Sequence, residues 1–512
     1  MATRSDSQAG LLARVGLPNT KSVIAVAIVC AFVLGALLSI ELTSDLLIGA
    51  KDRTVRLFDW LFVFAASVSL LLVTVVALHP QANLRLGADD SKPEFSRLSW
   101  FAMLFSAGLA SGLLFWSTAE PILHFQANPF LDAAGIAPGS EAAVEIALRL
   151  TVLHWGIHGW AFYVVTALAI GVYSHRRNRP LTFRSAFTPI LGERAIESWP
   201  GAVIDLVALF GTVCGVATSI GLSAAGMNAT FHVLFGLEMG RGIQAAIVFG
   251  VCGLGTLSAL SGLDRGIRRL SELNVWVSGV LLIAVLALGP TTVIASRFFA
   301  TLIDYVVSVV PTGLWVAGTN SEQEWQAAWT VFYWGWWLAW TPFVSLFIAR
   351  ISKGRTIREF VVAVMLVPTL VILVWMSVFG GVALEQELAD PGAVSRAVNQ
   401  DYSLGLTTVL SNVATPGVST ALIAIAAFLL FTWLITSLDS ATLVICHLLG
   451  VSGSNPGKIF WGTAMAAVTC ALLWVGGVPA LQAASIVTGL PLAVAVVVLG
   501  AGLVKDLVLH RL

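Results

Sequence analysis

Two tryptophan-rich runs contain the residues of this chain best suited to bind a cation. One reads WTVFYWGWWLAW from Trp329 to Trp340, and the other reads HWGIHGWAFY from His154 to Tyr163. The face of an aromatic ring attracts positive charge without a hydrogen bond, so several indoles on neighbouring helices can form a cage for a quaternary ammonium or similar onium group. Tryptophan and tyrosine also gather at membrane interfaces. Both runs extend well into apolar stretches, and two such runs in one chain favour the cage.

A second pattern is a run of oxygen-bearing side chains inside an apolar stretch. Thr436, Ser437, Asp439 and Ser440 fall within five residues of one another. Hydroxyl and carbonyl oxygens are the ligands that a hard cation needs, and a carboxylate deep in a membrane segment is a functional candidate by default. The alternative is that the hydroxyls bond back to their own helix and that Asp439 pairs with a polar neighbour.

Small residues are dense from Ser106 to Gly112, which read SAGLASG. Such a stretch either lets a neighbouring helix approach closely or lets the helix unwind, so that freed carbonyls line a site. Trp116 follows as a further aromatic candidate. We expect the helix to stop at Glu120-Pro121.

Enzyme chemistry has little support in this sequence. His154 and His158 stand four residues apart, a spacing that can bind zinc, but no acidic residue follows His154 and this stretch offers no third ligand. Structural histidines are the favoured interpretation. There is no Walker loop, G-x-S-x-G motif or paired acidic motif inside an apolar stretch, so we expect no enzyme and no organic cofactor.

The composition identifies the kind of element that must position these residues. The chain has 512 residues, of which 57% are apolar and 11% charged, whereas soluble proteins are about 25% charged. This is the composition of a polytopic membrane protein. The 28 basic residues balance 28 acidic ones, which argues against nucleic acid as a partner. The five cysteines stand singly in apolar stretches.

Apolar runs predict twelve transmembrane helices in an all-α protein. The spans run over residues 23–40, 57–78, 98–118, 146–173, 202–222, 243–262, 273–294, 329–349, 360–384, 418–448, 459–475 and 481–504. Between the seventh and eighth spans, Arg297 to Val310 is apolar but short and contains Asp304, and we expect an amphipathic helix at the membrane interface.

The positions of basic residues orient these spans. With the N-terminus inside, all but seven of the 28 Lys and Arg residues fall in the termini and the even-numbered connections. Cytoplasmic connections hold the basic residues. Twelve helices with cytoplasmic N- and C-termini therefore fit the charge pattern.

The run in the eighth span resembles the signature of the betaine/carnitine/choline transporter family of secondary transporters. That signature is a small polar residue followed by Trp-Thr-aliphatic-x-aromatic-Trp-x-Trp-Trp, and its matching residues here are Trp329, Thr330, Val331, Tyr333, Trp334, Trp336 and Trp337, with Ala328 in the small polar position. Further similarities follow in order along nearly the whole chain. They are the glycine stretch before Glu120-Pro121, the Trp155/Trp160/Tyr163 spacing, the basic stretch Arg350 to Arg358 and Thr436-Ser437.

The resemblance implies a fold of two peripheral helices followed by two inverted five-helix repeats of the LeuT type. The corresponding segments are a cytoplasmic tail (1–22), the peripheral helices (23–97), the first repeat (98–294), an interfacial linker (295–328), the second repeat (329–504) and a short cytoplasmic C-terminus (505–512). It also implies a homotrimer in the bacterial inner membrane. The implied activity is import of glycine betaine, carnitine or choline by alternating access, with sodium as coupling ion.

The resemblance also implies roles for individual residues. The central cage would comprise Trp155, Trp160, Tyr163 and Trp337, and Trp336 and Trp340 would guide substrate along the inner pathway. A sodium ion would bind backbone carbonyls around Ser106 and Leu109 together with the hydroxyls of Thr436 and Ser437. Phe343 occupies a position that lies near another cation in betaine symporters.

Departures from the family pattern leave alternatives open. Residues 108–112 read Gly-Leu-Ala-Ser-Gly, where betaine carriers read Gly-Met-Gly-Ile-Gly, so the substrate is not resolved among the three. Gly112 stands where proton-coupled choline carriers have Asp, and Asn274 where a sodium-independent exchanger has arginine; both favour sodium. The alternatives are an exchanger of the same family, a membrane metalloenzyme using His154 and His158, and a channel.

Overall fold

The computed structural model describes residues 19–108, 111–261 and 264–508. Within these ranges the regular structure is helical, with one isolated β-bridge between Arg85 and Thr356. The all-α membrane architecture predicted from the apolar runs is therefore confirmed.

Fifteen helices of twelve or more residues form the body of the protein and are labelled α1 to α15. They are α1 (Thr20–Leu38), α2 (Ile40–Leu78), α3 (Arg97–Gly108), α4 (Ser111–Gln126), α5 (Ala143–Trp155), α6 (Ile157–Gly171), α7 (Trp199–Phe235), α8 (Arg241–Ser261), α9 (Asp264–Leu288), α10 (Thr291–Gly313), α11 (Phe332–Ile351), α12 (Ile357–Ala389), α13 (Pro416–Leu448), α14 (Asn455–Val475) and α15 (Val478–Val508).

Shorter elements connect them. Six short helices cover Pro129–Ala134, Thr188–Leu191, Glu193–Ile196, Asn320–Gln326, Ser395–Gln400 and Leu404–Asn412. Two 3₁₀ turns cover Pro80–Asn83 and Arg184–Phe187, and two π turns cover Val172–Arg176 and Ala327–Val331. The second π turn leads directly into α11, so the tryptophan-rich run begins in it.

Twelve described helical segments are long and apolar enough to cross a membrane, with α5, α6 and the π turn after them counted as one segment, Ala143–Arg176. The set differs from the predicted one at two places. It includes α10, whose 23 residues exceed the predicted Arg297 to Val310. The third predicted span is represented by α3 and α4, of 12 and 16 residues, which flank residues 109 and 110.

Burial separates central helices from peripheral ones. In the membrane-length windows of α5–α6 and of α11, 94% of residues are buried, against 22% in α1 and in α10. Close glycine contacts allow this density: a Cβ built at Gly489 of α15 would lie 2.7 Å from Gly335 Cα of α11. Because α11 is enclosed by its neighbours, its aromatic side chains face protein. A role for that run as an interfacial belt is excluded.

Contacts between the connections fall into two groups. The first group has two ion pairs, Arg176 with Asp89 and Lys21 with Asp205. It also has four hydrogen bonds to backbone carbonyls: Leu86 N–H to Arg355 O (2.8 Å), Asn19 to Leu449 O, Lys458 to Ala259 O and Lys505 to Pro189 O. In the other group, Arg297 pairs with Glu141 and Glu385, Arg241 donates to Trp474 O and Gln323 to Asp59. The first group joins the termini and the even-numbered connections.

Candidate substrate and cation sites

A helix break at Gly156 organises the aromatic site. The glycine has φ −91° and ψ −147°, so α5 ends at Trp155 and α6 begins at Ile157. A break frees backbone groups that must find other partners. The Ile157 N–H donates to the Tyr305 hydroxyl at 2.9 Å, and the His154 carbonyl accepts from Trp337 Nε1 at 2.9 Å. The predicted span over residues 146–173 is thus present as Ala143–Arg176, in two helical segments that meet at this break.

The break brings together rings that a straight helix would separate. Trp155 and Trp160 are five residues apart, which on an unbroken helix places them about 140° apart. Their ring centroids lie 6.3 and 5.6 Å from that of Trp337. Tyr163 lies 5.1 Å from Trp337 and 5.5 Å from Trp160. All four rings are buried. We call these four residues the aromatic cage.

Glycines opposite the cage make room for the indoles. A Cβ built at Gly159 of α6 would overlap the Trp337 ring, and one at Gly112 of α4 would overlap Trp336. At Gly112 the missing side chain lets α11 approach α4 closely, which is one of the two alternatives for the small-residue stretch. The unwinding alternative falls on residues 109 and 110, outside the described residues.

The two predicted pathway tryptophans continue from the cage along α11. Trp336 lies 5.8 Å from Trp155 and donates its N–H to Gly215 O at 3.2 Å. Trp340 packs on Phe343 at 5.5 Å, beside Gly215 of α7. The buried Nε1 atoms of Trp160 and Trp340 are two of seven indole Nε1 atoms that have no hydrogen-bond partner within the described part of the chain. A buried donor without an acceptor is costly, so these indoles can donate to a bound molecule.

Trp116 belongs to a second aromatic layer. Its ring lies 5.6 Å from Trp329, 5.8 Å from Tyr402 and 6.3 Å from Tyr333. Tyr333 connects this layer to the cage, because its ring lies 5.4 Å from Trp155. Trp116 is fully buried. It therefore lies next to the cage without forming one of its four walls.

Glu120 is a site residue that the sequence analysis missed. The prediction that the helix stops at Glu120-Pro121 is wrong, because α4 continues to Gln126 and buries Glu120 completely. Pro121 fits against Gly380 of α12, where a Cβ would lie 2.8 Å from Pro121 Cγ. A proline inside a membrane helix is tolerated when neighbouring elements pack on the freed backbone.

The Glu120 carboxylate is surrounded by donors. Its Oε1 lies 2.7 Å from His154 Nδ1 and 3.3 Å from His124 Nε2. Its Oε2 accepts from Trp155 Nε1 at 2.9 Å and from the Tyr333 hydroxyl at 2.5 Å. A buried charge is tolerated only when it is fully hydrogen-bonded, and four donors meet this requirement.

This cluster has the residue types of a metal site but the geometry of a hydrogen-bond network. One ligand atom each from Glu120, His124 and His154 lies within 4.8 Å of the others. Ligands at about 2.05 Å on a tetrahedral zinc ion are about 3.3 Å apart, whereas Oε1 and His154 Nδ1 are 2.7 Å apart. His158 lies elsewhere, its ring 5.6 Å from Trp334 and against Gly313. The His154/His158 pair therefore does not converge on a metal.

The predicted sodium ligands are described only in part. Leu109 and the Ser106 side chain lie outside the described residues. Thr436 Oγ1 donates to Trp433 O at 2.9 Å, and its lone pairs remain for a cation. One turn earlier, Thr432 Oγ1 donates to Asn274 Oδ1 at 2.7 Å. The structure thus places a neutral amide of α9 against α13 near this run, and the cation roles of Thr436, Ser437 and Phe343 stay predictions.

A membrane protein of many spans with a buried aromatic cluster at its centre belongs to the class of polytopic transporters. The family model described as BCCT, betaine/carnitine/choline family transporter, matches residues 22–511. The chain belongs to this family, and it is a transporter and not an enzyme. The resemblance drawn from the tryptophan signature is confirmed.

Related proteins are similar over most of the chain. Glycine betaine transporter 1 of Vibrio parahaemolyticus is 38% identical over 474 residues, covering 91% of this chain and 88% of its own length. Glycine betaine transporter OpuD of Bacillus subtilis is 35% identical over 502 residues, covering 95% and 94%. The high-affinity choline transport protein of Escherichia coli is 35% identical over 462 residues, covering 89% and 67%.

Proposed function

We propose that this transporter imports a small onium compound of the glycine betaine, carnitine or choline type, coupled to sodium, by alternating access. The observation that carries the proposal is the aromatic cage of Trp155, Trp160, Tyr163 and Trp337, whose ring centroids lie 5.1 to 6.3 Å from their neighbours. A desolvated cation over such rings gains about 2 kcal/mol or more. All four rings are buried, so substrate binding there would replace hydration by ring faces.

The proposed substrate carries an oxygen acceptor besides its cationic head. Trp160 Nε1 is a buried donor without a partner among the described residues, and a carboxylate or hydroxyl would satisfy it. Two of the related proteins are named as transporters of glycine betaine and of choline, which carry a carboxylate and a hydroxyl respectively. A carboxylate and a hydroxyl can each accept from this one donor.

The proposed sodium ligands are backbone carbonyls around Ser106 and Leu109 and the hydroxyls of Thr436 and Ser437. Asn274 supports this site, because its amide adds no positive charge near the hydroxyl run. The fold would consist of two inverted repeats, with α10 as the linker between them. The proposed assembly is a homotrimer in the bacterial inner membrane with both termini in the cytoplasm.

Uptake into proteoliposomes tests the proposal. Labelled glycine betaine, carnitine and choline are supplied with an inward sodium gradient, and in parallel with potassium replacing sodium. Sodium-driven accumulation of one compound is the expected result. Equal uptake without sodium, seen only when substrate is preloaded inside, would instead show an exchanger. No uptake of any of the three would overturn the onium assignment.

The cage makes a prediction about Trp337. Trp337→Leu keeps an apolar side chain but removes a ring face, so we expect the KM for uptake to rise roughly tenfold or more. The matched control is Trp461→Leu in α14, a buried tryptophan that packs edge-on against Phe460 at 5.4 Å and does not touch the cage. That variant should lower stability without changing KM. Unchanged uptake by folded Trp337→Leu would remove the cage assignment.

The cation site makes a prediction about Thr436. Thr436→Ala removes the proposed ligand, so the sodium concentration for half-maximal uptake should rise about tenfold or more. Thr420→Ala is the control, since its hydroxyl also bonds back along α13, to Pro416 O at 2.8 Å, on an exposed face. If both variants respond to sodium like the parent, Thr436 does not bind the ion.

A further inference from the structure

We propose that Glu120 is a positioning residue for substrate binding, which holds the Trp155 wall of the aromatic cage through its hydrogen bond to the indole N–H. The inference rests on the proposed function, because it assigns a role within the same cage. Glu120 itself does not line the cage. It acts through Trp155 and through Tyr333, which packs edge-on against Trp155 at 5.4 Å.

The donors around Glu120 come from three separate helices. His124 lies on α4 with Glu120, His154 and Trp155 lie on α5, and Tyr333 lies on α11. The carboxylate therefore joins the tryptophan-rich helix to the end of α5 directly before the Gly156 break. A helix end next to a break has few hydrogen bonds of its own to fix it. Glu120 supplies this constraint through side chains.

The same hydrogen bond favours cation binding by the indole. Trp155 Nε1 donates to a carboxylate oxygen at 2.9 Å in a fully buried place. Hydrogen bonds in a low dielectric polarise their partners, so donation to an anion shifts electron density toward the ring. The attraction of the ring face for a cation depends on that density.

The network also shows which substitutions preserve it. A glutamine whose carbonyl takes the place of Oε2 still accepts from Trp155 and Tyr333. Its amide then faces His124 Nε2 and His154 Nδ1 and donates to both, provided that each ring carries its proton on the other nitrogen, which for His154 is Nε2. That nitrogen lies 3.2 Å from Thr330 Oγ1, which can accept it. Alanine offers no acceptor, so the four buried donors around Glu120 lose their shared partner, which is costly.

The test measures equilibrium binding to the purified full-length transporter. The probe is whichever of labelled glycine betaine, carnitine and choline the parent binds most tightly. We expect Glu120→Ala to raise Kd at least tenfold and Glu120→Gln to stay within about threefold. Glu387→Ala is the matched control: that buried carboxylate accepts from the N–H groups of Gly392, Val394 and Ser395 at the end of α12, away from the cage. It should lower Tm with Kd unchanged.

A second variant separates positioning from general stability. Trp155→Phe keeps a ring but removes the N–H, so Glu120→Ala should weaken binding much less in that background than in the parent. Additive effects would overturn the inference, as would parental binding by Glu120→Ala or a loss in Glu120→Gln as large as in Glu120→Ala. If Glu120→Ala does not fold, the Kd values of Glu120→Gln and Trp155→Phe test the inference. Glu120→Gln should bind like the parent, and Trp155→Phe, which lacks the N–H that Glu120 holds, should bind more weakly. Failure of the parent to bind any probe would instead overturn the proposed function.

Discussion

Gly159 shows how a single atom decides the shape of the cage. The Trp337 indole lies so close to Gly159 that an added Cβ would overlap the ring, and buried rings in a dense interior have little room to shift. We expect Gly159→Ala to displace Trp337 and to raise the KM for uptake about tenfold or more. Initial rates of uptake over a range of substrate concentrations measure this effect.

The same helix provides the control. At Gly171 a Cβ would lie 3.6 Å from the Leu86 methyl groups, an ordinary contact. Gly171→Ala should therefore keep KM within about twofold of the parent, with Tm unchanged or higher because alanine favours helix. Equal KM values for the two variants would show that Trp337 does not need its observed position.

Residue types predicted the cage, but spacing alone did not predict how it forms. Aromatic density indicated a cage between the two tryptophan-rich runs, and the family resemblance assigned Trp155, Trp160, Tyr163 and Trp337 to it. Glu120 was missed because a Glu-Pro pair is typical of a helix end. Its burial depends on donors from distant segments, and no local pattern reports these.

At the scale of the elements, the break between α5 and α6 depends on α10. The Tyr305 hydroxyl of α10 accepts from Ile157 N–H, which the break leaves without a helical partner. Tyr305→Phe removes this acceptor at a cost of about 1–3 kcal/mol. We expect a lower Tm together with a KM about fivefold higher, since the break positions both Trp155 and Trp160. Thermal unfolding and uptake kinetics measure the two effects.

Tyr173→Phe distinguishes this effect from the loss of any tyrosine hydroxyl. Tyr173 donates to Asp506 of α15, away from the break. Its loss should lower Tm and leave KM unchanged. A normal KM in Tyr305→Phe as well would mean that the break keeps its shape without α10.

The break was beyond prediction for a physical reason. Gly156 lies within the run HWGIHGW, and a single glycine inside an apolar helix usually causes no break. The two groups freed by the break, Ile157 N–H and His154 O, are satisfied by Tyr305 and Trp337, which are 148 and 183 positions away in the chain. In contrast, the apolar lengths of α7, α12 and α13 were sufficient to predict those spans. These three helices differ from the predicted spans only in extending beyond the predicted bounds.

At the scale of the whole molecule, contacts among connections report which ones share a membrane face. The hydrogen bond from Leu86 N–H to Arg355 O joins the second and eighth connections. Both connections lie in the group that holds the termini. Twelve spans place the termini and the even-numbered connections on the same side of the membrane, so this contact agrees with twelve spans. Arg297, near the start of α10, contacts Glu141 and Glu385 of the opposite group.

The segment that follows the end of α10 contacts the same group of connections as the start of α10. Gln323, ten residues after α10, donates to Asp59 of α2 in that opposite group. A helix that crossed the membrane would deliver its two ends to different faces. These contacts therefore support a linker helix that stays on one face, although its length alone would allow a crossing.

The charge pattern then predicts which face is cytoplasmic. In a variant with all five cysteines replaced, Ala88→Cys and Ser321→Cys each place one thiol at an exposed position, in the second connection and after α10 respectively. Because basic residues are retained inside, a membrane-impermeant maleimide should label only Ser321→Cys in intact cells and only Ala88→Cys in inside-out vesicles. The cysteine-free parent controls for background. The reverse pattern would invert the orientation, and labelling of both positions from one side would show that α10 crosses the membrane.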